Sequence, residues 1–169
     1  MNQNEYFTKL KIKSNISKNI IEKIKNSTPD QWAVTLDQDI LQLTIDDFKD
    51  DPEIHQAIME LGEQKRLSVF RFYPNVCYQW HNDAMREGAI NMLLTGFDSF
   101  CMFGKYSAGR RFIDIKKLAH EPNTYYLLNV KNFHTVFNFN ELRYIISISI
   151  PAKTYKDTCD YFESKNLLC

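Results

Sequence analysis

From Leu67 to Ile150 the chain falls into short runs rich in β-branched and aromatic residues, at 67–73, 76–81, 88–95, 99–105, 110–115, 123–130, 134–138 and 142–150. Gly88, Gly96, Gly104 and Gly109 and small clusters of Asn, Asp and Ser interrupt them. Eight short strands with turn signals at this spacing predict a β-sandwich or small barrel. The last run alternates most clearly. Arg143, Ile145, Ser147 and Ser149 share one face, Tyr144, Ile146, Ile148 and Ile150 share the other, and Pro151 ends the run.

Ahead of these runs the periodicity changes. Residues 5–13 alternate loosely and predict a strand. Ile16, Ile20, Ile21 and Ile24 recur at helical spacing behind the cap residues Ser14 to Ser17, predicting an amphipathic helix from about Ser17 to Asn26, which Thr28-Pro29-Asp30 closes. Residues 32–48 predict a strand and then a second extended or turn-rich piece. Asp50-Asp51-Pro52-Glu53 has the composition of a helix start. Ile54, Ala57, Ile58 and Leu61 carry that helix's apolar face to a capping Gly62. Residues 153–166 predict a C-terminal amphipathic helix using Tyr155, Cys159 and Phe162. The expected organisation is one domain over 1–169: a helical and extended cover at 1–65, a mainly β core at 66–150 and a helix at 151–169. The helices are expected to cover one face of one sheet.

Composition narrows the function classes. Lys plus Arg and Asp plus Glu balance at 21 each, which argues against a nucleic-acid binder working by bulk charge. The charge is unevenly placed, with six lysines in 9–25 and nine acids in 37–63, a pattern expected of solvated surface. No apolar leader or membrane-length run occurs, so a soluble cytoplasmic protein is expected and the sequons at Asn15 and Asn26 carry no meaning. Cys77, Cys101, Cys159 and Cys169 fit neither a zinc site nor a disulfide framework and are expected to be reduced.

The candidate chemistry lies in two stretches. Tyr78-Gln-Trp-His81-Asn-Asp83 offers an imidazole and a carboxylate two residues apart, which an extended strand points to one side. His134-Thr-Val-Phe-Asn138 offers a second imidazole. Two histidines and one carboxylate with positions to spare form the facial triad of non-haem Fe(II) oxygenases. A lone His-x-Asp is a weak signal; here each half sits in a strand pattern in a chain of four His. Arg143 follows nine positions later inside an apolar strand, where a guanidinium suits a bidentate grip on a carboxylate. The bland alternative is two satisfied histidines, a solvated Asp83 and an edge-strand arginine that snorkels.

The order His81-Asn-Asp83, His134, Arg143 resembles the Fe(II)- and 2-oxoglutarate-dependent oxygenases. The strings Trp80-His-Asn-Asp83, Arg86-Glu-Gly-Ala-Ile-Asn91, Leu127-Leu-Asn129, His134-Thr-Val-Phe-Asn138 and Arg143-Tyr-Ile-Ile-Ser147 resemble the small aspartyl/asparaginyl β-hydroxylase-type members from bacteria and phages, over about residues 66–150. Some aspartyl hydroxylases of this type lack the metal carboxylate, which this chain has in Asp83. The resemblance implies a double-stranded β-helix (a jelly roll of cupin type). It also implies Fe(II), 2-oxoglutarate as cosubstrate and O2, with hydroxylation of a free or peptidyl amino acid and release of succinate and CO2. His81, Asp83 and His134 would bind the metal, and Arg143 the 5-carboxylate of 2-oxoglutarate, helped by Ser147 or Ser149.

Other residues keep two readings each. Asn91, an amide in an apolar strand, contacts cosubstrate or metal ligand, or bonds a neighbouring backbone. Arg86 at the mouth reads a substrate carboxylate or is plain surface. Asn138 is expected to orient groups behind the metal ligands. Trp80 is expected in the core, as are Tyr73 and Tyr78 unless they line the cosubstrate cavity. His55 and His120 receive no role. Two rival functions stand beside the oxygenase: a cupin-like metal enzyme that does not use 2-oxoglutarate, and a non-catalytic β-roll binding module. Substrate, small molecule or peptide, and oligomeric state are left open.

Overall fold

The computed structural model of the chain describes residues 5–35, 38–61, 66–151 and 153–169. Eleven strands are present among them: β1 (Phe7–Lys13), β2 (Trp32–Val34), β3 (Asp39–Gln42), β4 (Leu67–Phe72), β5 (Val76–His81), β6 (Gly88–Leu93), β7 (Phe100–Tyr106), β8 (Phe112–Leu118), β9 (Thr124–Leu128), β10 (Phe133–Asn138) and β11 (Arg143–Ile150). Three α-helices accompany them: α1 (Ser17–Asn26), α2 (Pro52–Glu60) and α3 (Tyr155–Ser164). The eight runs of the sequence correspond to β4 through β11. Residues 32–48 become two strands and a 3₁₀ turn at Ile45–Phe48.

From β4 onward the chain passes back and forth between two antiparallel sheets, which is the jelly-roll pattern. The major sheet has the order β1-β9-β6-β11-β4-β3-β2 and the minor sheet β5-β10-β7-β8. Strands β1, β2 and β3, from the segment expected to be a cover, extend the major sheet at both edges. Their short or loosely alternating sequences did not distinguish added strands from covering structure.

The alternation in β11 holds as expected. Ile146, Ile148 and Ile150 share one apolar cluster with Ile20 of α1, Ile54, Ala57 and Ile58 of α2 and Phe162 of α3. The three helices therefore cover the outer face of the major sheet. Each of these isoleucines contributes about 1.5–3 kcal/mol by leaving water. Arg143 and Ile145 face the other way, into the roll.

Two caps differ from expectation. The N-cap of α1 is Ile16, and no side chain caps it. Asp51 occupies the N-cap of α2, but its carboxylate does not cap. It accepts from Ser14 Oγ at 2.6 Å, Asn15 N at 2.7 Å and Tyr125 Oη at 2.8 Å, tying the end of β1 to α2 and β9. A buried carboxylate with three donors is satisfied where an unpaired one would be costly. Gly62, the expected cap of α2, lies outside the described residues. Helix α3 begins with a reciprocal capping box between Thr154 and Asp157.

Candidate metal centre

The site forms where β5 and β10 pair at the mouth of the roll. His81 and His134 are cross-strand partners, but Tyr78 is partnered by Val136, so β5 carries one residue more than β10 in this interval. That β-bulge decides where the side chains point. In a regular strand Tyr78 and His81 would face opposite sides. With the bulge both line the same cavity, and Trp80 turns to the outer face, where it stacks on Phe112 at 4.1 Å. Trp80 is thus not in the core. The hydroxyl of Thr135 donates to the Tyr78 carbonyl at the bulge, supplying a partner where the ladder is broken. Strand β5 ends at His81, and the extended course to Asp83 is held by the Asp83 N–H, which donates to the Val130 carbonyl at 2.9 Å.

His81, Asp83 and His134 each offer a ligand atom, and these atoms lie within 4.8 Å of one another. The imidazole rings are 4.2 Å apart between centroids. His81 Nδ1 contacts the Gln79 carbonyl at 2.8 Å and His134 Nδ1 the Asn132 carbonyl at 3.0 Å. A carbonyl only accepts, so both Nδ1 atoms carry the proton, which leaves Nε2 of each ring as the nitrogen available to a metal. Tyr78 meets His81 edge-on at 4.6 Å, and Phe103 stacks on His134 at 5.6 Å, so packing fixes both rings. Burial, with the neighbouring His81 adding to it, lowers the pKa of His134 to about 4, leaving it neutral at physiological pH.

Arg86 donates from Nε to Asp83 Oδ2 at 2.6 Å and from Nη1 to Ser147 Oγ at 3.2 Å and Ser149 Oγ at 3.4 Å. It is a brace behind the carboxylate, leaving Oδ1 turned toward His81 Nε2 at 3.9 Å. The two serines expected beside Arg143 are engaged by Arg86 instead. The reason is position along β11: Ser147 and Ser149 sit level with the start of β6, next to the loop that carries Arg86, while Arg143 sits at the opposite end.

Arg143 is 1% exposed. Its Nε donates to Ser99 Oγ at 3.0 Å and its Nη2 to Cys101 Sγ at 3.5 Å, and Phe72 lies under the guanidinium at 5.2 Å. Among the described residues no carboxylate pairs with it. Arg143, the triad, Asn91 and Arg86 line one cavity of about 100 Å³, walled by Phe72, Tyr78 and Ile145. The Oδ1 of Asn91 is buried without a hydrogen-bond partner among the described residues, so an acceptor as well as a cation faces this space. A buried cation with no anion and a buried amide oxygen with no donor are costly unless something polar joins them.

Two further expectations change, and two residues join the site. Asn138 is buried, but its Nδ2 donates to the carbonyls of Phe72, Tyr73 and Glu141, pinning two turns away from the metal ligands. Tyr73 lies outside the cavity and donates to Asp39 at 2.7 Å on the other face of the sheet. Ser99 and Cys101, which hold Arg143, were not singled out, although they alternate in step with Phe103 toward the interior.

No family model and no curated protein matches the sequence. Solved structures do. A Pseudomonas putida prolyl-4-hydroxylase superposes with TM-score 0.62 at 11% identity, covering 87% of this chain and 92% of that one. A Trichoplax adhaerens prolyl hydroxylase in complex with a hypoxia-inducible-factor peptide fragment gives 0.61 at 12%, covering 92% and 86%. The collagen prolyl hydroxylase of Paramecium bursaria Chlorella virus-1, in its 2-oxoglutarate complex, gives 0.56 at 13%, covering 88% and 97%. The chain has the jelly-roll fold of these oxygenases, over nearly its whole length. No helix of the described residues is long and apolar enough to cross a membrane.

Proposed function

We propose that this chain is an Fe(II)- and 2-oxoglutarate-dependent dioxygenase that hydroxylates an amino acid, free or within a peptide. The observation that carries this reading is Arg143, a buried cation with no carboxylate partner among the described residues, in the same cavity as His81, Asp83 and His134. A binding module has no use for that combination, and a metal enzyme without a dicarboxylate cosubstrate has no use for Arg143. Fe(II) held there would supply O2 activation and the oxidative decarboxylation of 2-oxoglutarate to succinate and CO2.

His81 Nε2, His134 Nε2 and Asp83 Oδ1 are the atoms that would hold the metal. Arg143 is the group that would receive the far carboxylate of 2-oxoglutarate, and Asn91 offers an amide within the same space. Arg86 holds the Asp83 carboxylate in its orientation. Phe72, Tyr78 and Ile145, which line the cavity, would keep bulk water from the cosubstrate. A peptide substrate is supported by the Trichoplax neighbour, which holds a peptide. The aspartyl/asparaginyl choice rests on the sequence strings alone.

The test is turnover. With Fe(II), 2-oxoglutarate, O2 and ascorbate as the reductant that closes the cycle when no substrate is hydroxylated, the chain is expected to form succinate in step with 2-oxoglutarate consumed, with N-oxalylglycine inhibiting and His134→Ala inactive. Succinate formation that survives His134→Ala, or none under any condition, contradicts the proposal.

A further inference from the structure

Beside the metal cavity lies a second one of about 480 Å³. The two share Gln38, Phe70, Asp83 and Arg86, so the second opens directly onto the metal carboxylate. Its size suits a small molecule or one to two residues of a peptide. Nothing in the oxygenase reading so far uses it.

Its walls follow from strand parity. Gln38, Ile40 and Gln42 face inward from β3 and its lead-in, and Arg66, Ser68 and Phe70 from β4 and its lead-in. Gln42 is registered with Ser68, Ser68 with Ser147, and Ser147 with Asn91. A polar row therefore crosses four strands from the open edge of the roll to the centre. The neighbouring row, Ile40, Phe70, Ile145 and Leu93, is apolar throughout. An occupant would lie with a polar side along the first row and an apolar side on the second.

The charge in this cavity is one-sided. Among the described residues Asp83 is its only carboxylate, and Asp83 is committed to Arg86 and the metal position. Arg66 contributes a second guanidinium and forms no ion pair with any described residue. Its backbone is not loose, because the Arg66 carbonyl accepts from the Ser149 N–H at 3.0 Å. The side-chain amides of Gln38 and Gln42 make no hydrogen bond among the described residues and flank the same space. Arg86 cannot do double duty as an anion reader while it braces Asp83 at 2.6 Å.

We infer that this cleft binds a substrate bearing an acidic group, with Arg66 as the specificity-determining residue and Gln38 and Gln42 as hydrogen-bonding partners. This deepens the oxygenase reading and rests on it. A guanidinium fork recognises a carboxylate or a phosphate in the same bidentate way, and the half-buried Ile40 and Phe70, with the exposed Met85 beside them, offer apolar surface to the rest of the substrate.

The experiment is calorimetric titration of the full chain loaded with Mn(II) and N-oxalylglycine, which keeps dicarboxylate probes away from Arg143. The probes are blocked tripeptides with central aspartate, phosphoserine, asparagine or lysine, and free L-aspartate. The aspartate or phosphoserine peptide is expected to bind at least about tenfold tighter than the lysine peptide. The better of the two identifies the oxyanion, and free aspartate binding as well as its peptide identifies a small-molecule site. Arg66→Ala should erase the preference and Arg66→Glu should reverse it toward lysine. Equal affinities, no binding by any acidic probe, or a preference retained in Arg66→Ala would overturn the inference. Uptake of Mn(II) and N-oxalylglycine in the loading step is a separate reading, and its failure would sink the oxygenase proposal instead.

Discussion

Gly96 stands so close to Arg143 that a Cβ on it would lie 2.8 Å from the Arg143 Cα and 2.9 Å from its Cβ. Gly96 also holds φ at 75°, in the left-handed region. The glycine is what lets the loop after β6 close over the start of β11, where the buried guanidinium emerges. Gly96→Ala adds backbone strain to a clash with backbone atoms that have nowhere to go. It is expected to destabilise the fold by about 2–4 kcal/mol in urea unfolding. A change below about 0.5 kcal/mol would show that the loop can shift.

Arg143 itself is expected to behave as a binding residue rather than a stabilising one. It is buried with a hydroxyl, a thiol and a ring as its partners, so its desolvation is poorly repaid. Arg143→Met, close in shape and uncharged, should unfold at the same or a higher urea concentration than the wild type. A loss of more than about 2 kcal/mol would mean that the charge is structurally satisfied after all.

Arg86 should tune the metal rather than the fold. Without it Asp83 keeps its N–H anchor to Val130 but loses the brace on Oδ2. Arg86→Ala is expected to weaken Mn(II) binding by about tenfold in calorimetry, with Arg86→Lys recovering part of the loss. Unchanged affinity would make the ion pair a bystander.

Acid should destabilise the metal-free protein through two histidines. His120 is buried with neither ring nitrogen bonded to any described residue, and burial, with the charge of Arg143 adding to it, lowers its pKa to about 3. His134 is lowered to about 4. In the unfolded chain both titrate near 6.5. Below about pH 6.5 the unfolded state binds more protons than the folded one, so stability is full above that value and falls as pH drops. The steepest slope is about 1.4 kcal/mol per unit for each histidine. His120→Phe, which keeps a ring against Tyr126, should flatten the slope by about one histidine's share between pH 7 and pH 5. An unchanged slope in this variant would show that His120 is protonated in the fold.

Much of this was legible in the residues because single periodicities carry it. The isoleucine stripe of α1 and the alternation of β11 follow from side chains whose placement depends only on local geometry, and the order of His81, Asp83, His134 and Arg143 along the chain names four side chains that line one cavity. What was not legible depends on register between distant segments. The bulge in β5 arises only against β10, so neither the outward turn of Trp80 nor the true reason His81 faces the site could be read from β5. The capture of Ser147 and Ser149 by Arg86 depends on where β6 starts beside β11. Asn138 has the strand parity of His134, yet its amide meets three carbonyls in loops that the sequence leaves unplaced. Strands β1, β2 and β3 form because the major sheet has edges to extend, a property of the assembled roll.

The most direct measurement is the melting temperature of the metal-free protein with Mn(II), N-oxalylglycine, and both together, in the wild type, His134→Ala and Arg143→Met. A ligand that binds only the folded state raises the melting temperature by mass action. Mn(II) is expected to stabilise the wild type and Arg143→Met but not His134→Ala. N-oxalylglycine is expected to add a further rise only when Mn(II) is present and only when Arg143 is intact. A rise with N-oxalylglycine that survives in Arg143→Met, or no rise with Mn(II) in the wild type, would contradict the assignment of this cavity as a metal and 2-oxoglutarate site.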